Sequence, residues 1–182
     1  MKFIEPHRDP WRSVGGDDGP MVTITPHPNL LLSLTDWHAV RGHWPAGMPV
    51  GVKLANDADV ETLRPDLPRL SLIALQFPKW TDGRAYSQAR LLRSRLRYTG
   101  ELRATGEVLV DMLPLLARTG FDAAALRADQ RLDAAERALG FFRAHYQGDV
   151  ADNHPLFAKP PGWAETVARE PVREFVNPGD AI

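Results

Sequence analysis

The stretch that decides the fold runs from Leu72 to Leu96 and reads LIALQFPKWTDGRAYSQARLLRSRL. Its first six residues, Leu72–Phe77, are almost all apolar and have the length of a buried strand. After a loop, apolar residues recur at the spacing of an amphipathic helix: Ala85, Ala89, Leu92 and Leu96. Gly100 stands where a glycine commonly ends a helix. The stretch therefore predicts one complete βα unit.

Similar units are predicted on both sides of this stretch. The other predicted strands are Leu30–Leu34, Val50–Leu54, Leu102–Thr105 and Phe121–Leu126, each followed by helix signals. Helices are predicted over Ala85–Leu96, over Asp111–Thr119 with Gly120 as its end, and over Arg131–Tyr146 with Asp129 as N-cap.

Five βα units in series predict an α/β fold with a parallel sheet. An open three-layer sheet is favoured, because a complete (β/α)8 barrel needs about 250 residues. A partial (β/α) barrel that completes itself as a homodimer is the second arrangement. Proline marks both ends of this region, with seven of the 16 prolines in residues 1–50 and five in residues 151–182. We therefore predict a Pro-rich N-terminal arm (1–29), an α/β domain (30–148) and a Pro-rich C-terminal arm (149–182).

Composition excludes several function classes. The chain has 182 residues, a net charge of −1 and 43% hydrophobic residues, which is typical of a soluble globular protein. Near-neutral charge gives no general attraction to nucleic acid or to anionic membranes, and neither is expected as a partner. No apolar run approaches the roughly 20 residues that span a bilayer, and the polar start is unlike a signal peptide, so a cytoplasmic location is expected.

The chain contains no cysteine. This excludes disulfides, thiol nucleophiles and thiolate ligation of zinc, haem or iron–sulfur clusters. The spacing of Asp36, His38 and His43 does not favour a metal site, so no metal ligand is predicted and any cofactor stays unknown.

The loop after Leu72–Phe77 is the main candidate for chemistry. It falls at the carboxyl end of a predicted parallel strand, where ligands of α/β proteins bind. Donors for a small anion are available there from Lys79, Arg84 and Ser87, with Arg103 on a later strand. Asp82 and Glu107 are candidate general bases, although capping of the following helix is favoured for Asp82.

Positive charge is concentrated in the same part of the chain. Residues 79–103 carry a net charge of +5, and Arg90, Arg93 and Arg97 share one face of the predicted helix, with Tyr86 a turn earlier. This is a candidate docking face for an acidic protein; an ordinary solvated face is the alternative, and the sequence favours it. Glu101, Arg103 and Thr105 alternate with apolar residues, which indicates an edge strand or internal ion pairing rather than a site.

Two runs of sequence, FPKWTDGRAYSQARLLR from Phe77 and TGELRATGEV from Thr99, together with Asp111 and Gly120–Asp122, resemble the bacterial domain-of-unknown-function family 934. The resemblance covers about Leu30 to Tyr146 and is strongest from Phe77 to Leu126. It implies an association with sulfite reduction and an oxidoreductase label that rests on gene neighbourhood. Sulfite reductase or its electron donor is the implied partner.

Two hypotheses follow. The first is an accessory or docking protein of assimilatory sulfur metabolism without its own metal or thiol redox centre. The second is an enzyme acting on a small anionic substrate at the Asp82-Gly83-Arg84 turn.

Overall fold

The computed structural model describes residues 1–14, 23–142, 145–154, 156–160 and residue 162. Within these residues the chain forms one parallel sheet of seven strands, in the order β1-β7-β6-β5-β4-β3-β2, which curls into a half-barrel. The strands are β1 (Lys2–Phe3), β2 (Arg12–Ser13), β3 (Leu30–Ser33), β4 (Val50–Leu54), β5 (Leu70–Phe77), β6 (Glu101–Gly106) and β7 (Ala123–Ala124).

Four α-helices are described: α1 (Leu34–Val40), α2 (Arg84–Arg90), α3 (Leu113–Thr119) and α4 (Leu132–Gly140). One-turn 3₁₀ helices occupy Val60–Leu63, Leu67–Arg69, Val110–Met112 and Leu156–Ala158, and a π-helical turn, Leu91–Arg95, extends α2. Ser33 caps α1, because its Oγ accepts from the amide of Asp36 at 3.0 Å. Gly120 ends α3 in the left-handed conformation, as predicted.

The α/β class and the parallel sheet are confirmed, but the predicted strand count is wrong. Seven strands replace five because residues within the predicted N-terminal arm form β1 and β2 at opposite edges of the sheet. Each of these strands has two residues, too few to show a hydrophobic period in sequence. Strands β3 to β7 lie side by side in chain order, and right-handed crossovers then put their connections on one face.

The two faces of the sheet are covered differently. The outer face carries the main core, in which Leu32, Leu54 and Ile73 cluster with Ala85 of α2 and Leu116 of α3. The inner face carries a small second cluster, built by Leu31, Leu72, Ala74 and the ring of Trp11. The open sheet fits the favoured prediction, and its curl into a half-barrel fits the second one, the partial (β/α) barrel. No described helix contributes to the second cluster, so a third layer is not seen in the described part of the chain.

Residues 4–11, which we call the strap, take the place of a second helix layer. The strap joins β1 at one edge to β2 at the other and therefore crosses the inner face. Trp11 packs so closely on β4 that a Cβ added at Gly51 would lie 3.1 Å from its ring. Asp9 reaches the guanidinium of Arg103 on β6 at 2.5 Å.

Strand β6 corrects one sequence expectation and confirms another. It lies inside the sheet between β5 and β7, so the edge interpretation is wrong. Its polar residues are instead explained by internal ion pairing, because Arg103 is 2% exposed and lies 2.7 Å from Glu101 as well as against Asp9. Lys2 of β1 adds a fourth charge, 3.8 Å from Glu101.

All three predicted helices are shorter than expected. In place of the helix predicted over Asp111–Thr119, the 3₁₀ turn Val110–Met112 precedes α3, Leu113–Thr119. The α-helix after β5 ends at Arg90 and continues only as a π-helical turn to Arg95. The helix predicted over Arg131–Tyr146 spans Leu132–Gly140, with Arg131 rather than Asp129 at its N-cap. Asp129 pairs with Arg127 at 2.6 Å instead.

Candidate functional site

The loop between β5 and α2, residues 78–83, lies at the carboxyl edge of the sheet. Lys79 and Trp80 both point into solvent there, and Trp80 is 58% exposed. The loop therefore presents a cation and a large aromatic ring side by side.

The side chains of Asp82 and Arg84 form an ion pair with each other at this loop. The guanidinium of Arg84 binds the carboxylate through two nitrogens, with Nη2 at 2.7 Å from Oδ2 and Nε at 3.0 Å from Oδ1. The backbone amide of Arg84 also donates to Oδ1 at 3.2 Å. These hydrogen bonds lower the pKa of Asp82 to about 2, with a further contribution from Asn56, and raise the pKa of Arg84.

This pairing bears on the predicted roles of both residues. A carboxylate with a pKa of about 2 is a weak base near neutral pH, and a guanidinium that already binds a carboxylate offers fewer donors to a substrate anion. The predicted capping role of Asp82 agrees better with the structure than a role as a base. Its carboxylate accepts a hydrogen bond from the backbone amide of Arg84, the first residue of α2, while Gly83 occupies the N-cap position.

Glu107 lies on the neighbouring loop. Its backbone amide donates to the carbonyl of Phe77 at 2.8 Å, so the loops after β5 and β6 run side by side. Its carboxylate binds Arg127 at 2.8 Å, and Arg127 also binds Asp129. Hydrogen bonds to both carboxylates raise the pKa of Arg127, and the one to Asp129 lowers the pKa of Asp129 to about 2. Each of the two predicted bases is thus ion-paired with an arginine, Asp82 with Arg84 and Glu107 with Arg127.

The four predicted anion-binding residues are not brought together. Lys79 and Ser87 are exposed, and Arg84 is paired with Asp82. Arg103 lies beneath the strap on the inner face, where two carboxylates already bind it. Its place in an anion site at the carboxyl edge is therefore not supported.

The predicted docking residues fall into two groups. Arg93 is a structural residue with a side chain only 13% exposed: it donates to the carbonyls of Tyr98, Gly100 and Gly120 and pairs with Asp122. Tyr86 is half-buried, with its ring edge-to-face on Phe77 at 5.1 Å, and burial raises the pKa of its hydroxyl. Arg90 and Arg97 are exposed.

The three arginines therefore do not share one helix face. Arg90 is the last residue of α2, Arg93 turns inward from the π-helical turn, and Arg97 follows in a loop with a left-handed φ of 57°. The sequence predicted a regular helix because the apolar stripe continues to Leu96 at helical spacing. In a π-helical turn the hydrogen bonds join residues five apart rather than four, so every later side chain is rotated around the helix axis.

Gln88 is a positioning residue that sequence reasoning missed. It is buried on α2, and its Nε2 donates to the carbonyls of Ala55 and Ala58, each at 2.9 Å. These bonds fix the loop after β4 against the start of α2. A polar residue between apolar helix positions was the available signal, but it does not distinguish a buried glutamine from a solvated one.

Comparison with known proteins gives a family but no activity. The sequence model of a bacterial protein family of unknown function, DUF934, matches residues 51–157. The chain belongs to the DUF934 family. The match begins later than the resemblance read from the sequence and extends beyond Tyr146. A search of the curated proteins found no protein similar to this DUF934 member. Among its described residues, no helix combines the length and apolar character needed to cross a bilayer.

Proposed function

We propose that this DUF934 protein is an accessory protein of sulfite reduction that docks on a sulfite reductase or on its electron donor. The proposal rests on one observation: in the positively charged segment 79–103, some cations have a carboxylate partner and others do not. Arg84, Arg93, Arg95 and Arg103 each have a carboxylate partner. Lys79, Arg90 and Arg97 are exposed and have no ion pair within the described part of the chain.

We call Lys79, Trp80, Arg90 and Arg97 the docking surface. Lys79 and Trp80 lie in the loop before α2, Arg90 is the last residue of α2, and Arg97 follows the π-helical turn. Tryptophan and arginine are the residue types that most often dominate binding energy at protein interfaces. The excess positive charge requires an acidic partner, and association should weaken with salt because exposed charges are screened.

An accessory role suits the chemistry better than a catalytic redox role. The sequence has no thiolate to ligate sirohaem or an iron–sulfur cluster. A protein that serves sulfite reduction through this chain would therefore act by contact with the redox enzyme, for instance by positioning its electron donor.

The test is affinity isolation of the tagged full-length protein from its own host grown on sulfate as the sulfur source. We expect a sulfite reductase subunit or its electron donor to co-purify at low salt and to be lost at high salt. The double variant Arg90→Glu/Arg97→Glu should lose the partner. Arg12→Glu is the matched control, because Arg12 is another exposed arginine without an ion pair among the described residues and lies on β2 at the sheet edge.

Retention of the partner by the double variant would disprove the docking surface. Isolation of the protein alone at low salt would disprove the accessory role as stated.

The enzyme alternative receives less support from the same geometry. The Asp82-Gly83-Arg84 turn neutralises its own charge, which leaves Lys79 and Ser87 as the donors for an anion. If the alternative holds, sulfite, sulfate or phosphate should raise the melting temperature, and Arg84→Ala should abolish the rise.

Homodimer formation also stays a prediction, which light scattering after gel filtration can measure.

A further inference from the structure

The inner face of the sheet is only partly covered by the strap. Trp11 of the strap packs on Leu31, Gly51, Leu72 and Ala74, and Asp9 pairs with Arg103. Lys53 lies in the same row as Arg103, on the other side of Ala74. Register and the alternation of Cβ directions place Ser33, Lys53, Gln76 and Thr105 on this inner face.

Lys53 is unusual for its position. It lies in β4, an interior strand whose other four residues are all buried, and it is exposed. Strands covered on both faces are normally apolar along their whole length. The side chains of Lys53 and Gln76 make no hydrogen bond or ion pair within the part of the chain that the structure describes.

Lys53 and Gln76 are close enough to act on one small ligand. Lys53 pairs in register with Ala74, and Gln76 lies two residues further along β5. Strand spacing and rise put their Cα atoms roughly 8 Å apart, within reach of two long side chains. Ala74, between them, is fully buried in the cluster that Trp11 covers, so a ligand would contact the outer ends of the two side chains.

The other two polar residues are already engaged. The hydroxyl of Ser33 donates to Asp36 at 2.7 Å, and that of Thr105 donates to the carbonyl of Leu75 at 3.3 Å. Donors for a ligand therefore come from the ammonium of Lys53 and the amide of Gln76. Both are groups that bind oxygen anions.

The charges of the inner face favour an anion at Lys53. Arg103 and Lys2 are balanced by Asp9 and Glu101, which lie within 4 Å of them. Lys53 adds one positive charge that no described carboxylate neutralises at that distance. Among the described residues of these strands, Lys53 is thus a cation without an ion pair beside the unpaired side-chain amide of Gln76.

We infer that Lys53 and Gln76 form a binding site for a small oxyanion or carboxylate on the inner face, beside the cluster that Trp11 covers. The site is distinct from the docking surface, whose residues lie before α2, at its last residue and after the π-helical turn, and from the turn that holds Arg84. It does not depend on the proposed accessory function.

Calorimetric titration of the full-length protein with sulfate, phosphate and acetate, at ionic strength held constant with chloride, tests the site. We expect one equivalent of at least one of these anions to bind. Lys53→Met should weaken binding by about tenfold or more, since it removes a hydrogen bond to a charged group. Lys53→Arg should retain most of the affinity, and Gln76→Leu should weaken it to a smaller extent.

Arg12→Met is the matched control, because Arg12 is also an exposed cation without an ion pair among the described residues but lies on β2 at the sheet edge. It should leave the affinity within about twofold. No binding of any of the three anions, or equal binding by Lys53→Met with native circular dichroism, would overturn the inference. Loss of binding in Arg12→Met alone would move the site to β2 at the sheet edge and would equally overturn it.

Discussion

Arg103 and Lys53 occupy one row of the inner face, on either side of Ala74, and show how one sheet surface can serve two purposes. Arg103 is buried against the strap, where it lies against Asp9 and Glu101. Lys53 is exposed and has no ion pair among the described residues. A polar group that is buried must be paired within the fold, whereas one left in solvent is available to another molecule. The strap therefore separates polar residues that stabilise the fold from those that can bind.

The largest expected effect comes from Arg103→Met, which leaves Asp9 and Glu101 facing each other beneath the strap. Loss of one partner from a buried ion pair should cost about 3 kcal/mol of the free energy of unfolding. Urea denaturation followed by circular dichroism measures it. Arg90→Met, at an exposed arginine, should change the free energy by less than about 0.5 kcal/mol. Equal effects of the two substitutions would remove the contrast between the two kinds of arginine.

Gly51→Ala tests the fit of the strap on the sheet. The added Cβ would lie 3.0 Å from Leu31, 3.1 Å from Leu72 and 3.1 Å from the ring of Trp11, so the strap must shift. We expect a loss of about 2 kcal/mol, typical of an overpacked core, and a change in tryptophan fluorescence. Gly140→Ala is the control, because nothing lies within 4 Å of its added Cβ at the end of α4. A stable Gly51→Ala protein with native fluorescence would show that the strap is not tightly packed.

A smaller effect is expected at the carboxyl-edge loop. The pKa of Asp82, about 2, lies below its ordinary value of 3.8, so the Asp82–Arg84 pair stabilises the fold above pH 3.8 and loses its effect as the pH falls through about 2. Arg84→Met should raise the pKa of Asp82 towards 3.8, as followed by NMR titration of its carboxyl carbon. Arg131→Met, which removes one of the two arginines that bind Asp133, should leave the pKa of Asp82 unchanged.

The smallest effect is expected for Lys53→Met. Because the side chain is exposed and unpaired among the described residues, the free energy of unfolding should change by less than about 0.5 kcal/mol. A loss above about 1.5 kcal/mol in urea denaturation would mean that Lys53 stabilises the fold. Lys53 would then resemble Arg103, whose charge stabilises the fold.

Parts of the fold could be predicted from local patterns. Strand Val50–Leu54 is observed with the predicted bounds, and Gly120 ends α3 as expected. Ion pairing was one of the explanations offered for the polar residues of β6, and Arg103 confirms it. These features depend on residues close in sequence, or on the rule that a buried charge needs a partner.

The candidate site was less predictable. The sequence placed Asp82, Arg84 and Arg103 in or near one anion site, but their charges are taken up by partners two to 94 positions away. Lys53 was missed, although a lysine inside an apolar run was a visible signal. Strand alternation says that Lys53 and Gly51 share a face, but only the register shows which face it is and what covers it.

The sequence by itself determined the α/β class, the parallel sheet and the family, because hydrophobic period, helix-ending glycines and a specific motif are local properties of the chain. Only the tertiary structure decided that the N-terminal residues supply both edge strands, that the strap pairs with Arg103, and that Arg93 turns inward while Arg90 and Arg97 remain in solvent. Two-residue strands and long-range ion pairs carry almost no local signal. Their free energy comes from contacts between segments that are far apart in the sequence and meet only when the sheet has formed.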